Sequence, residues 1–152
     1  TQYAKYVIQS LWGLPPKLDM ELEKRVQATI REIVGQNMAE SAHDLGDGGL
    51  AVALAECGFG NKIGARVQLD SDLRPEFLLF GESPSRILVS TANPDGVLAI
   101  AANAGVPVLR IGDTIEGELV IRNRDTLLID RPIASLRERW SGALQALLES
   151  RM

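Results

Sequence analysis

The sequence predicts an α+β fold: a mixed β-sheet with helices packed mainly on one face, in a single domain spanning residues 1–152. Three observations carry that expectation. Ala39 to Glu56 reads as a short extended segment, a glycine-rich turn and an alanine- and leucine-rich helix. Arg86 to Ile111 reads as strand, helix and strand, a β-α-β unit whose crossover should be right-handed. Ile133, Leu136, Trp140, Leu144, Leu147 and Leu148 then repeat at helical spacing and make one apolar stripe, expected to face the core. At 152 residues the chain is long enough to bury a substantial core.

Composition narrows the function classes. Hydrophobic residues are 45% and charged residues 24%, ordinary values for a globular protein. A net charge of −4 with no basic stripe gives no reason to expect a nucleic-acid partner. No signal peptide is visible, and no apolar run is long enough to span a bilayer, so no membrane partner is expected. The lone Cys57 excludes an internal disulfide and is compatible with a reducing cytoplasm, the expected location. It follows an apolar helix and reads as a core or helix-end residue rather than a nucleophile. The opening Thr1-Gln2-Tyr3 reads like mid-chain sequence, so a piece of a longer protein is expected.

In chain order, Tyr3 to Trp12 looks like a short apolar helix, stopped by Gly13 and the Pro15-Pro16 pair. Asp19 is a good N-cap for a helix to about Gly35, with Leu22, Val26, Ile30, Ile33 and Val34 on one face and a Glu21–Arg25 pair on it. Met38 to Asp44 reads as a strand and Leu50 to Cys57 as a helix. Lys62 to Leu69 alternates as a strand with Ile63, Ala65, Val67 and Leu69 on one side. Glu76 to Phe80 is a helical turn or more, and Arg86 to Thr91 a buried strand. Asn93-Pro94 caps a helix from Asp95 to Ala104 that Gly105 ends. Val106 to Ile111 reads as the next strand, and Glu118 to Ile121 with Thr126 to Ile129 as a hairpin around Asn123.

Two stretches could carry chemistry. In the first, Gly46, Gly48 and Gly49 permit positive φ and close approach of a ligand, while the following helix offers unpaired N–H groups and the positive end of its dipole. Such a junction suits phosphate. Asp44 and Asp47 would repel one unless Mg²⁺ bridged them to it. On spacing alone, Asp47 as an N-cap and the glycines as turn formers serve equally well. The second stretch is Gly81-Glu82-Ser83-Pro84-Ser85-Arg86. Ser83 and Ser85 can donate to phosphate oxygens, Arg86 can chelate them, and Glu82 can accept from a sugar hydroxyl or an amine; on spacing alone, a capped turn with both charges in water is favoured over that reading. His43 is the sole histidine. On a strand it and Asp44 point to opposite faces, which favours a structural role over acid–base catalysis. No zinc cluster, Ser-His-Asp arrangement or Walker P-loop is present.

Ser41-Ala42-His43-Asp44-Leu45-Gly46-Asp47-Gly48-Gly49-Leu50 and Phe80-Gly81-Glu82-Ser83-Pro84-Ser85-Arg86 together resemble the phosphoribosylformylglycinamidine synthase family, specifically the last domain of its PurL subunit. The resemblance extends over nearly the whole chain, including Leu14-Pro15-Pro16 and Val106-Pro107-Val108 to Arg110-Ile111-Gly112. The first motif is shared with aminoimidazole ribonucleotide synthetase, selenophosphate synthetase and thiamine-monophosphate kinase; the two in combination are more specific to PurL. The resemblance implies an ATP-dependent amidation in purine biosynthesis. ATP, with Mg, activates the formamide oxygen of formylglycinamide ribonucleotide, and ammonia from a glutaminase displaces phosphate. It implies partners too: the N-terminal domains of the same enzyme, the glutaminase subunit PurQ and the small subunit PurS. PurL is internally duplicated, and this chain resembles the second copy of its domain type, which belongs to an auxiliary or degenerate pseudo-site. Gly46, Gly48, Gly49, Gly81, Glu82, Ser83, Ser85 and Arg86 are then counterparts of a substrate-phosphate site, Asp44 of a metal ligand, and His43 and Asp47 of site-lining residues. Without the ATP-cradling domain, this chain alone is expected to be inactive. Two alternatives stand beside that reading: a stand-alone phosphate-binding or regulatory module, and a domain of a related small-molecule kinase.

Overall fold

A computed structural model describes residues 1–10 and 14–149, and the fold is mixed α+β with a mixed sheet and helices. The described chain forms two compact units. One comprises Thr1–Ala53 with Leu73–Arg110, the other Leu54–Asp72 with Ile111 onward.

The first unit opens with a π-helical turn, Ala4–Ile8, ended by Gln9 in the left-handed region. The expected helix is therefore shorter, and its proposed end at Trp12 and Gly13 lies outside the described residues. Helix α1 spans Met20–Gly35. The Asp19 carboxylate accepts from the N–H groups of Glu21 and Leu22, both at 3.0 Å, satisfying two donors that the first turn leaves unpaired. Val26, Thr29 and Ile33 are its buried positions, whereas Val34 is half-exposed. Glu21 pairs with Lys24 at 2.9 Å, one residue nearer than the expected Arg25 partner.

Strand β1 (Ser41–Asp44) pairs antiparallel with β3 (Ile87–Ser90), from Ser41↔Ser90 to Asp44↔Ile87. The expected strands were longer, and β3 is half-buried along its length rather than buried. Side chains fix the register. The Ser41 and Ser90 hydroxyls meet at 2.7 Å, and the Thr91 hydroxyl donates to the Met38 carbonyl. Between the strands lie α2 (Gly49–Phe59), which begins in this unit, and α3 (Pro75–Phe80). Helix α4 (Pro94–Asn103) starts as read, with Pro94 in its first turn and the Asn93 side chain accepting from Gly96 N–H. It packs on α1 and buries Val97 and Ala101.

The end of α4 explains a difference from the sequence reading. Gly105 takes φ +63°, its N–H bonds to Ala102 O, and Val106 N–H bonds to Ala101 O. That is a Schellman cap. It consumes the Val106 donor, and Pro107 has none, so Val106 to Ile111 starts with two residues unable to donate to a ladder. The segment forms no strand, Val108 and Leu109 are exposed, and the β-α-β unit is not completed.

The second unit is a four-stranded sheet in the order β4-β2-β5-β6, made of β2 (Ile63–Leu69), β4 (Gly112–Glu116), β5 (Glu118–Asn123) and β6 (Thr126–Pro132). The β2–β5 pairing is parallel and the other two are antiparallel. Its core is Leu54, Ala55, Val67, Leu119, Ile121 and Ile133. The hairpin turn is clamped to the Asp70–Asp72 loop: the Asn123 amide pairs both ways with the Ser71 backbone, and Arg124 bonds Asp70 at 2.6 Å and Asp72 at 2.8 Å.

Helix α5 spans Ile133–Glu149 as its spacing predicts, but its stripe is not core. Only Ile133 is buried. Trp140 is 60% exposed and Leu144, Leu147 and Leu148 are exposed with it. Trp140 instead donates its indole N–H to Glu56 at 3.0 Å and tilts against Phe59 at 5.5 Å. Helical periodicity records an apolar face without saying whether this unit covers it. Ile121→Ala should therefore cost about 2–5 kcal/mol of unfolding free energy, as a fully buried truncation does. Trp140→Ala should cost about 1 kcal/mol, the worth of its hydrogen bond and little more. Denaturant unfolding of both variants checks the ranking, and equal losses would return α5 to the core.

Candidate functional site

The antiparallel β1–β3 pairing decides where the two unusual stretches lie. Asp44 ends β1 beside Ile87, which begins β3, and Leu45 N–H extends the ladder to the Arg86 carbonyl at 3.0 Å. The chain leaving β1 and the chain entering β3 are thus at one edge of the ribbon. The Gly46–Gly49 turn and the Gly81–Arg86 loop meet there.

They meet through the chain's own groups. The Glu82 carboxylate accepts from Gly48 N–H at 3.0 Å, a charge-assisted bond of the kind a phosphate oxygen would make at a helix start. Gly49 N–H bonds to the Gly46 carbonyl at 3.1 Å. Gly48 and Gly49 do adopt positive φ, +84° and +67°. The close approach that Gly49 permits is to backbone: a Cβ there would stand 2.7 Å from Gly81 O and 3.0 Å from Leu79 O.

The other sequence-selected residues divide in the same way. Ser85, at φ +62°, donates its hydroxyl to Glu23 of α1 at 2.5 Å. That bond, then one from Gln27, holds the Glu23 carboxyl below its usual range. Its stabilising effect is present at neutral pH and fades as the pH falls through that lowered value. Arg86 donates to the Gly81 carbonyl at 3.3 Å, and burial lowers its pKa while leaving it charged at neutral pH. Ser83 is exposed. His43 Nδ1 lies 2.6 Å from its neighbour's carbonyl, Asp44 O, and 4.0 Å from an Asp44 carboxylate oxygen. The Asp47 carboxylate accepts from the Gln2 amide at 3.2 Å.

Magnesium finds little here. Asp44 is 81% exposed, and the carboxylates of Asp47 and Glu82 already accept hydrogen bonds. Among the described residues no group of three His, Cys, Asp or Glu could hold a metal ion. The residues present do not by themselves fit a bound Mg²⁺. Cys57 is exposed as a residue, yet partial desolvation of its thiol, then Glu56, pushes its pKa up and away from nucleophile behaviour.

Sequence reading missed the N-terminal contribution. Gln2 N–H donates to Glu82 at 2.7 Å, and Tyr3 stacks on Phe80 with ring centres 5.0 Å apart and planes 1° from parallel. Contacts some 80 residues apart leave no periodic or spacing signal; the aromatic pair was the sole hint available.

The glycines should respond unequally to substitution. Gly49→Ala meets backbone at positive φ and should cost about 1–3 kcal/mol. Gly46→Ala meets the exposed Asp44 carboxylate, which can move, and should cost under about 1 kcal/mol. Thermal or denaturant unfolding of the two variants measures the difference.

A family model for "AIR synthase related protein, C-terminal domain" matches residues 3–122. The chain is 44% identical over 138 residues to the phosphoribosylformylglycinamidine synthase subunit PurL of Moorella thermoacetica, covering 90% of this chain and 19% of that protein. It is 39% identical over 157 residues to the same subunit of a Synechocystis strain, covering 99% of this chain and 20% of that protein. Among solved structures it is similar to T. maritima PurL complexed with ATP, with a TM-score of 0.71 and 27% identity over 79% of this chain and 22% of that one. PurLQS from Thermotoga maritima gives a TM-score of 0.71 and 25% identity, covering 88% and 24%. This chain spans about one fifth of the length of its curated relatives. With residues 3–122 of 152 matched, and both loop motifs at one edge of the β1–β3 ribbon, the chain belongs to the AIR synthase related C-terminal domain family and is a C-terminal domain of the PurL type.

Proposed function

We propose that this chain is the second-copy C-terminal domain of a phosphoribosylformylglycinamidine synthase and that residues 1–152 act in it as one domain. The parent enzyme is an ATP-dependent carbon–nitrogen ligase of purine biosynthesis. It converts formylglycinamide ribonucleotide, ATP and glutamine-derived ammonia to formylglycinamidine ribonucleotide. ATP with Mg serves the parent enzyme, whose N-terminal domains supply most of the nucleotide contacts. The glutaminase subunit PurQ and the small subunit PurS are its partners, in the cytoplasm. Relatives that are PurL subunits, PurL structures with ATP and with formylglycinamide ribonucleotide, and a PurLQS structure support this reading. Among the described residues no helix is long and apolar enough to cross a membrane.

Within that enzyme, the Gly46–Gly49 and Gly81–Arg86 loops form an auxiliary or degenerate copy of the substrate-phosphate site. The observation that carries this is the Glu82 carboxylate on the Gly48 amide. A negative side chain holds the donor that a phosphate would need. Two of the other candidate phosphate ligands, Ser85 and Arg86, are turned to Glu23 and Gly81, while Ser83 is exposed. A stand-alone phosphate-binding module is less well supported, because the Gly48 and Gly49 donors are both engaged.

The purified chain, given ATP, formylglycinamide ribonucleotide and ammonia, should form no amidine product. Exchanged for the corresponding fifth of the Moorella thermoacetica subunit, it should support synthase activity with PurQ and PurS. Product from the chain alone would overturn the reading, as would a soluble exchange protein without activity.

A further inference from the structure

The second unit holds a cleft of about 280 Å³ that the proposed function leaves unused. Its walls are the turn after α2 and the first turns of α5, with Phe59, Lys62, Ile133, Ala134, Arg137 and Glu138 among its lining. One residue ties the two walls together. Gly117 donates its N–H to the Lys62 carbonyl at 3.0 Å, and its own carbonyl accepts from Ile133 N–H at 2.8 Å. Packing adds to the tie: a Cβ on Gly58 would run into the Ile63 carbonyl and stand 3.0 Å from Ile133 Cδ1. Further along α5, Trp140 reaches back to Glu56 and Phe59. The concavity is therefore built into the fold.

Its lining is charged and unpaired. Among the described residues, the side chains of Lys62 and Arg137 have neither an ion pair nor a hydrogen-bond partner. Lys62 also sits at φ +56°, in the left-handed region, where glycine or asparagine is the less strained residue. Gly60 and Asn61 stand one and two positions away, yet the strained place is held by a lysine. Such strain points to a role for the side chain it carries. Lys62, Arg137 and Glu138 together leave one positive charge in excess, which a monoanion neutralises and a phosphate dianion would overshoot. The Arg137 fork suits a carboxylate, and Phe59, Ile133 and Ala134 supply an apolar wall for the group that bears it. We propose that this cleft binds a small carboxylate with an apolar, ring-sized body, its charged end on Lys62 and Arg137 and its body against Phe59 and Ile133. No residue of the Gly46–Gly49 or Gly81–Arg86 loops takes part, so the cleft and the phosphate-site copy can fail separately.

The test titrates the full 152-residue chain with benzoate and follows its amide resonances. Benzoate should bind with shifts centred on Lys62, Ile133 and Arg137. Acetate lacks the apolar body and benzyl alcohol lacks the charge, and each should bind at least about tenfold more weakly. Arg137→Gln should weaken benzoate binding by about fivefold or more, and Glu138→Gln should tighten it by removing a like charge. Lys62→Gly separates binding from folding. It relieves the positive φ while loosening the unfolded chain, so its denaturant midpoint should match that of the wild-type chain. Its benzoate affinity should nonetheless fall by about fivefold or more. Arg31→Gln removes an exposed cation of α1 and should leave affinity unchanged, which controls for net charge. Benzoate bound no more tightly than acetate would overturn the proposal, since only general attraction to cations is then left. So would an affinity indifferent to Lys62→Gly and Arg137→Gln in chains whose amide spectra show them folded.

Discussion

Four residue pairs between β1 and β3 set the geometry of the first unit. Because the strands run antiparallel from Ser41↔Ser90 to Asp44↔Ile87, the exit of one and the entry of the other share an edge. Parallel pairing in the same order would put the glycine turn and the Gly81 loop at opposite ends. With the loops together, Gly49 can approach the α3 C-terminus closely enough that only a hydrogen fits, and Glu82 can reach Gly48 N–H. The ribbon is short, and a two-stranded ribbon alone is marginal in water. The serine pair, the Thr91–Met38 bond and the Leu45–Arg86 bond extend it by one contact at a time.

A single donor can serve one strong acceptor well, and Gly48 N–H already has a carboxylate. Hydrogen bonds to charged groups contribute about 1.5–3 kcal/mol, roughly twice a neutral pair. An incoming phosphate would have to displace that bond, and like charge would oppose it as long as Glu82 stayed nearby. The residue types that suit phosphate are thus all present, while the partners of Gly48, Ser85 and Arg86 are internal and Ser83 is exposed. Glycine, serine, arginine and glutamate in these two motifs now hold loops to each other and to α1.

What was legible in the sequence was chemistry confined to a few neighbouring residues. Asp19, Asn93-Pro94 and Gly105 mark helix ends because each cap is satisfied within five residues. The hairpin around Asn123 and the strand at β2 are local in the same sense, although Ile63, read on one side with Ala65, Val67 and Leu69, is exposed. Failures came where the partner was distant or competing. Val106 to Ile111 has strand-like composition, but the cap of the preceding helix takes its first donor and Pro107 lacks one. Strand β4 is short, polar and at a sheet edge, so Gly112 to Glu116 carries no apolar alternation to read. The α5 stripe is a real amphipathic face, yet periodicity cannot say what covers it. At the site, spacing left open whether the glycines serve a ligand or a turn. The Gly49 contact with Gly81 and Leu79 is a third possibility, backbone against backbone, that no local pattern signals.

The account stands on the Glu82–Gly48 contact, and amide hydrogen exchange at Gly48 tests it most directly. A donor 3.0 Å from a carboxylate at a part-buried position should exchange well below the rate of an open turn amide, and Glu82→Ala should raise that rate by about tenfold or more while core amides of α1 and α4 keep theirs. If Gly48 exchanges as an unprotected amide in the wild-type chain, or if its rate is indifferent to Glu82, the two loops are not joined in this way.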